Sequence, residues 1–149
     1  MRNGQNKSLG QVLVDRNLVT AEQLKQAVDK SHKSGLQLGA CLVGLGFAKE
    51  EDVVEALTAE YGFPYLPLKN YEIDPALLGL VPETLARNYG LIPIDKIGDV
   101  LSVAMADPLN AQAIDDVEFI THCKVQSFIS TPSDIQESID RYYAKGAGG

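Results

Sequence analysis

Tryptophan is missing from this chain, and cysteine, methionine and histidine number two each. Cys41 and Cys123 lie far apart among apolar residues without a Cys-x-x-Cys spacing, which excludes a local redox or zinc pair and leaves two buried free thiols as the reading. His32 and His122 have no cysteine, histidine or carboxylate at ligand spacing, so no metal site is expected. Long apolar runs are absent as well. No segment is built to cross a bilayer, and the opening MRNGQNKSLG has no apolar signal region, so a cytoplasmic chain without direct membrane insertion is expected. A Gly-x-x-x-x-Gly-Lys-[Ser/Thr] phosphate loop is also lacking, and Gly44-Leu45-Gly46 has an ordinary helix-end explanation.

Positive charge is scarce: 13 Lys and Arg face 20 Asp and Glu, a formal net charge of −7. With a sequence pI near 4.7 and no basic stripe interleaved with aromatics, nucleic acid is excluded as a partner, because phosphate neutralisation dominates that affinity. The imbalance is uneven. Residues 1–34 hold six basic and three acidic side chains, 35–62 hold one and five, and 63–149 hold six and twelve.

What is present is an ordinary globular composition, 45% hydrophobic and 22% charged, and an internal repeat. LGQVLVDRNLVTAEQLKQAV from Leu9 reappears as LGACLVGLGFAKEEDVVEAL from Leu38, offset by 29 residues. A repeat of this period is a supersecondary unit that buries one face against its copy. Each copy reads as two helices. Leu9, Val12 and Leu13 share a face, the pattern breaks at Asn17-Leu18-Val19, and Thr20-Ala21-Glu22-Gln23 restarts it as a capping box. Leu24, Ala27 and Val28 continue that helix, and Gly35 ends it. The second copy runs from Leu38 to Leu45, turns at Gly46 and resumes with Lys49-Glu50-Glu51-Asp52, whose acids suit a helix N-terminus. Val53, Ala56 and Leu57 form its apolar face, and Tyr61-Gly62 closes it.

FPYLPLKNYEIDP, with Pro64, Pro67 and Pro75, then predicts an extended linker packed along the surface. Beyond it the period changes. A short turn at Ala76–Gly79, a helix from Pro82 to about Tyr89, two strands in LIPIDKIGDVLSVAM, a helix through about Thr121, a third strand in CKVQSFIST and a last helix opened by Thr131-Pro132-Ser133-Asp134 make a small α+β layer. The fold class is therefore α+β, with a four-helix tandem-repeat subdomain (residues 1–62), a Pro-rich linker (63–74), a sheet-and-helix subdomain (75–143) and a tail (144–149).

Chemistry is not evident. Asp115-Asp116-x-Glu118 reads as a solvated, dipole-matched helix face, and Asp107 as a cap rather than a base. No catalytic residue is assigned. Gly10 and Gly39 stand near helix starts, where glycine is costly, so something is expected to approach their backbone closely: the partner repeat or a flat ligand.

Together, LGQVLV, LGACLVGLGF, YGFPYLPL, LVPETLAR, LIPIDKIGDVLSVAMADPLN, AIDDVEFIT and IDRYY resemble the N-terminal region of the type II secretion and type IV pilus assembly ATPases, over residues 8 to about 143. The resemblance implies a non-catalytic adaptor or regulatory domain that precedes an ATPase motor and docks it to the cytoplasmic part of an inner-membrane assembly protein, at the periphery of that membrane. Phe63, Tyr65, Leu66 and Tyr71 are the candidate docking residues. One branch of the family binds cyclic di-GMP through two tandem Leu-Gly units, each opening with Arg and closing with Gln. This sequence keeps the apolar frame at Leu9, Gly10, Leu13 and Val14 and again at Leu38, Gly39, Leu42 and Val43. It has Ser8 and Gln37 at the Arg positions and Ser31 and Glu60 at the Gln positions. The alternative implied is a cyclic di-GMP sensor, with those twelve residues as the ligand site. Loss of Arg removes a planar, charge-assisted donor for phosphate or guanine, and a Glu60 carboxylate repels phosphate. No resident cofactor is expected.

Overall fold

The computed structural model describes the backbone of residues 8–148 and the side chains of residues 8–143. Four helices come first: α1 Leu9–Asp15, α2 Ala21–Ser34, α3 Leu38–Gly44 and α4 Glu50–Tyr61. The predicted caps are in place. Thr20 and Gln23 exchange both bonds of a capping box, and Gly35 and Gly62 end α2 and α4 in the left-handed conformation, satisfying terminal amides and carbonyls that a helix leaves unpaired.

The two copies repeat at the level of single hydrogen bonds. After α1, Leu18 N–H donates to the Leu13 carbonyl (2.9 Å), and after α3, Phe47 N–H donates to the Leu42 carbonyl (2.9 Å). The turn requires a positive φ at the residue before: Gly46 at +79° and, in the first copy, Asn17 at +62°. Glycine and asparagine are the residues that accept this geometry at least cost.

The second half follows with a 3-10 turn at Pro75–Leu80, α5 Glu83–Tyr89, β1 Leu91–Ile97, β2 Val100–Met105, α6 Ala111–Thr121, β3 Lys124–Ile129 and α7 Pro132–Gly148. The sheet order is β1-β2-β3. β1 and β2 form an antiparallel hairpin with an irregularity between Pro93 and Asp95, whereas β2 and β3 are parallel, a pairing that needs the α6 crossover. Pro93 sits on the edge strand, where its missing N–H is tolerated.

Three expectations are revised. Pro82 stands at the cap position of α5 and the helix begins at Glu83. The stretch expected as a tail continues α7 through Gly148, since Ala144 and Lys145 are good helix formers and extending an existing helix costs little. The linker is more than a surface strap: Leu68 and Ile73 are buried in the α+β core, and Tyr65 forms a parallel bridge with Ile129. Leu66 N–H donates to the Ile129 carbonyl and Ile129 N–H to the Pro64 carbonyl, each at 2.9 Å. The linker thus prolongs the sheet at the β3 edge.

Two cores result. Leu91, Ile92, Leu101, Val103, Ala113, Val117, Ile135 and Ile139 centre the α+β core. Leu9, Val12, Leu13, Ala27, Leu42, Val53 and Leu57 centre the helical one, and Ile129, the last residue of β3, is buried there too.

The tandem Leu-Gly unit as candidate functional site

Helical periodicity places Leu9, Gly10 and Leu13 on the inner face of α1, and Leu38, Gly39 and Leu42 on that of α3. Leu13 and Leu42 are fully buried, Leu9, Gly10 and Gly39 are buried, and Val14, Leu38 and Val43 are half-buried. Leu9, Leu13 and Leu42 belong to the core of the helical half, and Val14 and Leu38 pack against it.

The polar positions are committed within the chain. Ser8 caps α1, its hydroxyl accepting from Gln11 N–H at 3.2 Å. Ser31 Oγ donates to the Leu36 carbonyl at 2.6 Å, pinning the connection from α2 to α3. Gln37, the cap residue of α3, donates its side-chain amide to the Asn88 carbonyl in the last turn of α5, one of the carbonyls that a helix end leaves open. Glu60 pairs with Arg16 at 3.3 Å, joining the end of α4 to the end of α1. The contacts of these residues differ: Ser8 caps its own helix, Glu60 ties two helix ends, and Ser31 bonds to the carbonyl just before Gln37, which itself reaches the α+β half.

The expected close approach occurs at only one of the two glycines, and it is made by a side chain. A Cβ on Gly10 would stand 2.5 Å from Leu24 Cδ1, whereas at Gly39 the nearest atoms are Leu9 Cδ2 at 3.7 Å and Pro132 Cγ at 3.8 Å. The position matching Leu24 is Val53, one carbon shorter. The first glycine makes room for its own α2, and the second lies between Leu9 of the other copy and Pro132 of α7.

Of the docking candidates, Tyr65 alone is exposed. Phe63 packs on the helical core, Leu66 on the α+β core, and half-buried Tyr71 donates its hydroxyl to the Ile94 carbonyl at 3.2 Å. Partial burial, then the carboxylates of Asp134, Glu50 and Glu51, push the Tyr65 phenol above its ordinary pKa.

The acidic stretch of α6 has structural partners. Asp116 accepts from the Tyr89 hydroxyl at 2.6 Å, and Glu118 accepts from Val125 N–H at 2.9 Å. Asp107, expected as a cap, instead closes a turn before α6: it accepts from Leu109 N–H at 3.1 Å, while Asn110 caps the helix, and burial raises the Asp107 carboxyl pKa against the opposing effect of its bond. Among the described residues no group of His, Cys, Asp and Glu could hold a metal ion.

One contact has no trace in the sequence. Glu50, at the start of α4, accepts from both Ser133 N–H (3.0 Å) and Ser133 Oγ–H (2.7 Å). The acid expected to serve its own helix dipole also caps α7, 83 residues away. A second tie was half legible: Arg87 pairs with Glu83 one turn earlier, a spacing visible in the sequence, and also with Asp140 of α7 at 2.9 Å.

Comparison with known proteins bears on these features. Residues 61–149 match the MshEN domain family. The chain is 35% identical over 137 residues to the type IV pilus assembly ATPase PilB of Myxococcus xanthus, covering 92% of this chain and 24% of that protein. It is 30% identical over 139 residues to the type II secretion system protein E of Xanthomonas campestris pv. campestris, covering 90% of this chain and 23% of that protein. It therefore spans about a quarter of the length of these relatives. Among solved structures, MshE with cdg superposes with a TM-score of 0.65 at 30% identity, covering 92% of this chain and 99% of that one. The N-terminal domain of XpsE superposes with a TM-score of 0.68 at 22% identity, covering 91% and 93%, a likeness of fold.

Proposed function

This chain belongs to the MshEN domain family, whose relatives here are type IV pilus and type II secretion ATPases, and from that premise we propose that it is a non-catalytic adaptor and regulatory domain of such an ATPase. In this reading it works in the cytoplasm and docks a motor to the cytoplasmic part of an inner-membrane assembly protein. No helix among the described residues is long and apolar enough to cross a membrane, so attachment through a partner supplies the membrane link. Tyr65, the exposed aromatic of the linker, is the proposed centre of that contact.

The observation that carries the adaptor reading is the internal commitment of Gln37 and Glu60. One N–H of the Gln37 amide is bonded to the Asn88 carbonyl and the Glu60 carboxylate to Arg16, so neither position presents a phosphate with the charged, planar fork that an Arg would supply. A second reading, a cyclic di-GMP sensor using Ser8, Leu9, Gly10, Leu13, Val14, Ser31, Gln37, Leu38, Gly39, Leu42, Val43 and Glu60, is favoured by the retained apolar frame and by the superposition on MshE with cdg over nearly the whole of that chain.

Isothermal titration with cyclic di-GMP at low and physiological salt separates the two. The adaptor reading expects no heat at high micromolar ligand, together with saturable binding of a purified cytoplasmic segment of an inner-membrane assembly protein that is weakened by Tyr65→Ala. Micromolar binding of the nucleotide makes the sensor reading the correct one.

A further inference from the structure

The two Leu-Gly units match in backbone and differ in what sits on them. At Gly10 the space is filled by Leu24 of the same copy; at Gly39, Pro132 of α7 takes a share of it. The same asymmetry holds at the helix starts. Gln37 opens α3 and donates to the Asn88 carbonyl, while its counterpart Ser8 caps only its own helix. Glu50 opens α4 and caps α7 through Ser133, while its counterpart is Ala21, which has no polar side chain.

Gln37 reaches further than one hydrogen bond. A Cβ on Gly90 would stand 3.3 Å from Gln37 Cγ, and Gly90 has a φ of +66°. The Gln37 side chain thus lies over the glycine that ends α5. Gly35, Gln37, Arg87, Pro132, Ile135 and Gln136 surround the crevice between the halves, and α7 forms one wall of it.

We propose that the second Leu-Gly unit gives α7, whose Ile135, Ile139 and Tyr143 are buried in the α+β core, a second seat in the helical half, with Gln37 and Glu50 as the positioning residues, and that the two repeats are therefore not equivalent. A change of contacts at the first unit stays within the helical half. A change at the second is passed to α5 and α7 by the loss or reshaping of two named ties. From the second, sensor reading this takes only that a regulator would act at the tandem repeat; the seat itself is a property of the isolated chain.

Hydrogen exchange with mass spectrometry on the full chain tests it. Removing charge-assisted bonds from the first turn of α7 lets that turn open locally, so Glu50→Ala is expected to speed exchange over residues 131–139 by about tenfold to a hundredfold. Gln37→Ala is expected to speed exchange at the end of α5 by a smaller factor. Glu50→Gln keeps an acceptor for Ser133 and should restore part of the protection, which distinguishes loss of the bond from general loosening. Ser8→Ala, the matching change in the first copy, should leave α5 and α7 as in the parent. Unchanged α7 exchange in Glu50→Ala, or the same change in Ser8→Ala, overturns the proposal. The nucleotide titration decides the functional reading separately: a chain without affinity for cyclic di-GMP removes the sensor and leaves the exchange result for the seat untouched.

Discussion

Gly10 and Gly39 hold matching places in the repeat, yet an added methyl group meets different surroundings at each. At Gly39 the nearest atoms are at ordinary contact distance, while at Gly10 the Leu24 side chain must move. Gly39→Ala is therefore expected to be neutral or stabilising by up to about 0.5–1 kcal/mol through helix propensity. Gly10→Ala is expected to fall below it by about 1–3 kcal/mol through overpacking. Urea denaturation of the two variants reads the difference. Gly46→Ala is a third case: nothing lies within 4 Å of the added carbon, but φ is +79°, so a loss of about 1–2 kcal/mol comes from the backbone alone. Asn17 occupies the same geometry and already shows what a tolerable side chain looks like there.

Asp107 supplies a prediction in pH. Burial raises its carboxyl pKa in the folded protein, so between the ordinary carboxylate value and the raised one the native state holds more proton than the unfolded state. Stability contributed by this group is full below that window and is lost as pH rises through it. Asp107→Asn keeps an oxygen acceptor for Leu109 N–H and removes the titration. The difference in Tm between parent and variant, followed from pH 3.5 upward, should move in the variant's favour as pH rises; a constant difference would mean that the buried carboxyl carries no linkage.

At the scale of elements, caps and turns decide where each helix begins and ends, and these are local signals. The capping box at Thr20 and Gln23, the glycine ends at Gly35 and Gly62 and the Thr131 cap of α7 could all be read from the chain, and each is formed. Thr20→Ala is expected to cost about 1 kcal/mol of stability, seen as a lower midpoint in urea. Contacts with no fixed spacing were not legible. Glu50 has a sufficient local role as an acid in the first turn of α4, and nothing in the sequence says that Ser133 lies beside it. Gln37 likewise stands at a cap position without making a side-chain cap bond to its own helix; it looks outward, to α5. The site was legible as a frame and not as a set of contacts: hydrophobic period gives the leucines, while the destinations of Ser31, Gln37 and Glu60 depend on how helices and loops meet in space.

For the whole molecule, the two halves share more than a linker. Ile129 pairs with Met105 in the sheet and is buried in the helical core, and it receives the linker through two backbone bonds. Unfolding is accordingly expected to be one cooperative transition. Five of the six tyrosines lie beyond residue 62, and the sixth, Tyr61, ends α4, so tyrosine fluorescence is weighted toward the linker and the α+β half, while circular dichroism at 222 nm is weighted toward the helices of both halves. The two curves should coincide in urea. Ile129→Ala, which empties a fully buried position, is expected to lower stability by about 2–5 kcal/mol and to do so equally by both probes. Separate midpoints in the parent chain would mean that the halves fold as independent units.

That shared isoleucine also decides how this domain can be recombined. A cut at the linker, where the chain looks divisible, would leave Ile129, Pro132 and Ser133 behind with the α+β half although they complete the surface of the helical one. A chimaera that exchanges tandem repeats between relatives at residue 62 therefore inherits a mismatched lid on its new helices. A graft that carries the β3–α7 junction together with the repeats moves a complete building block.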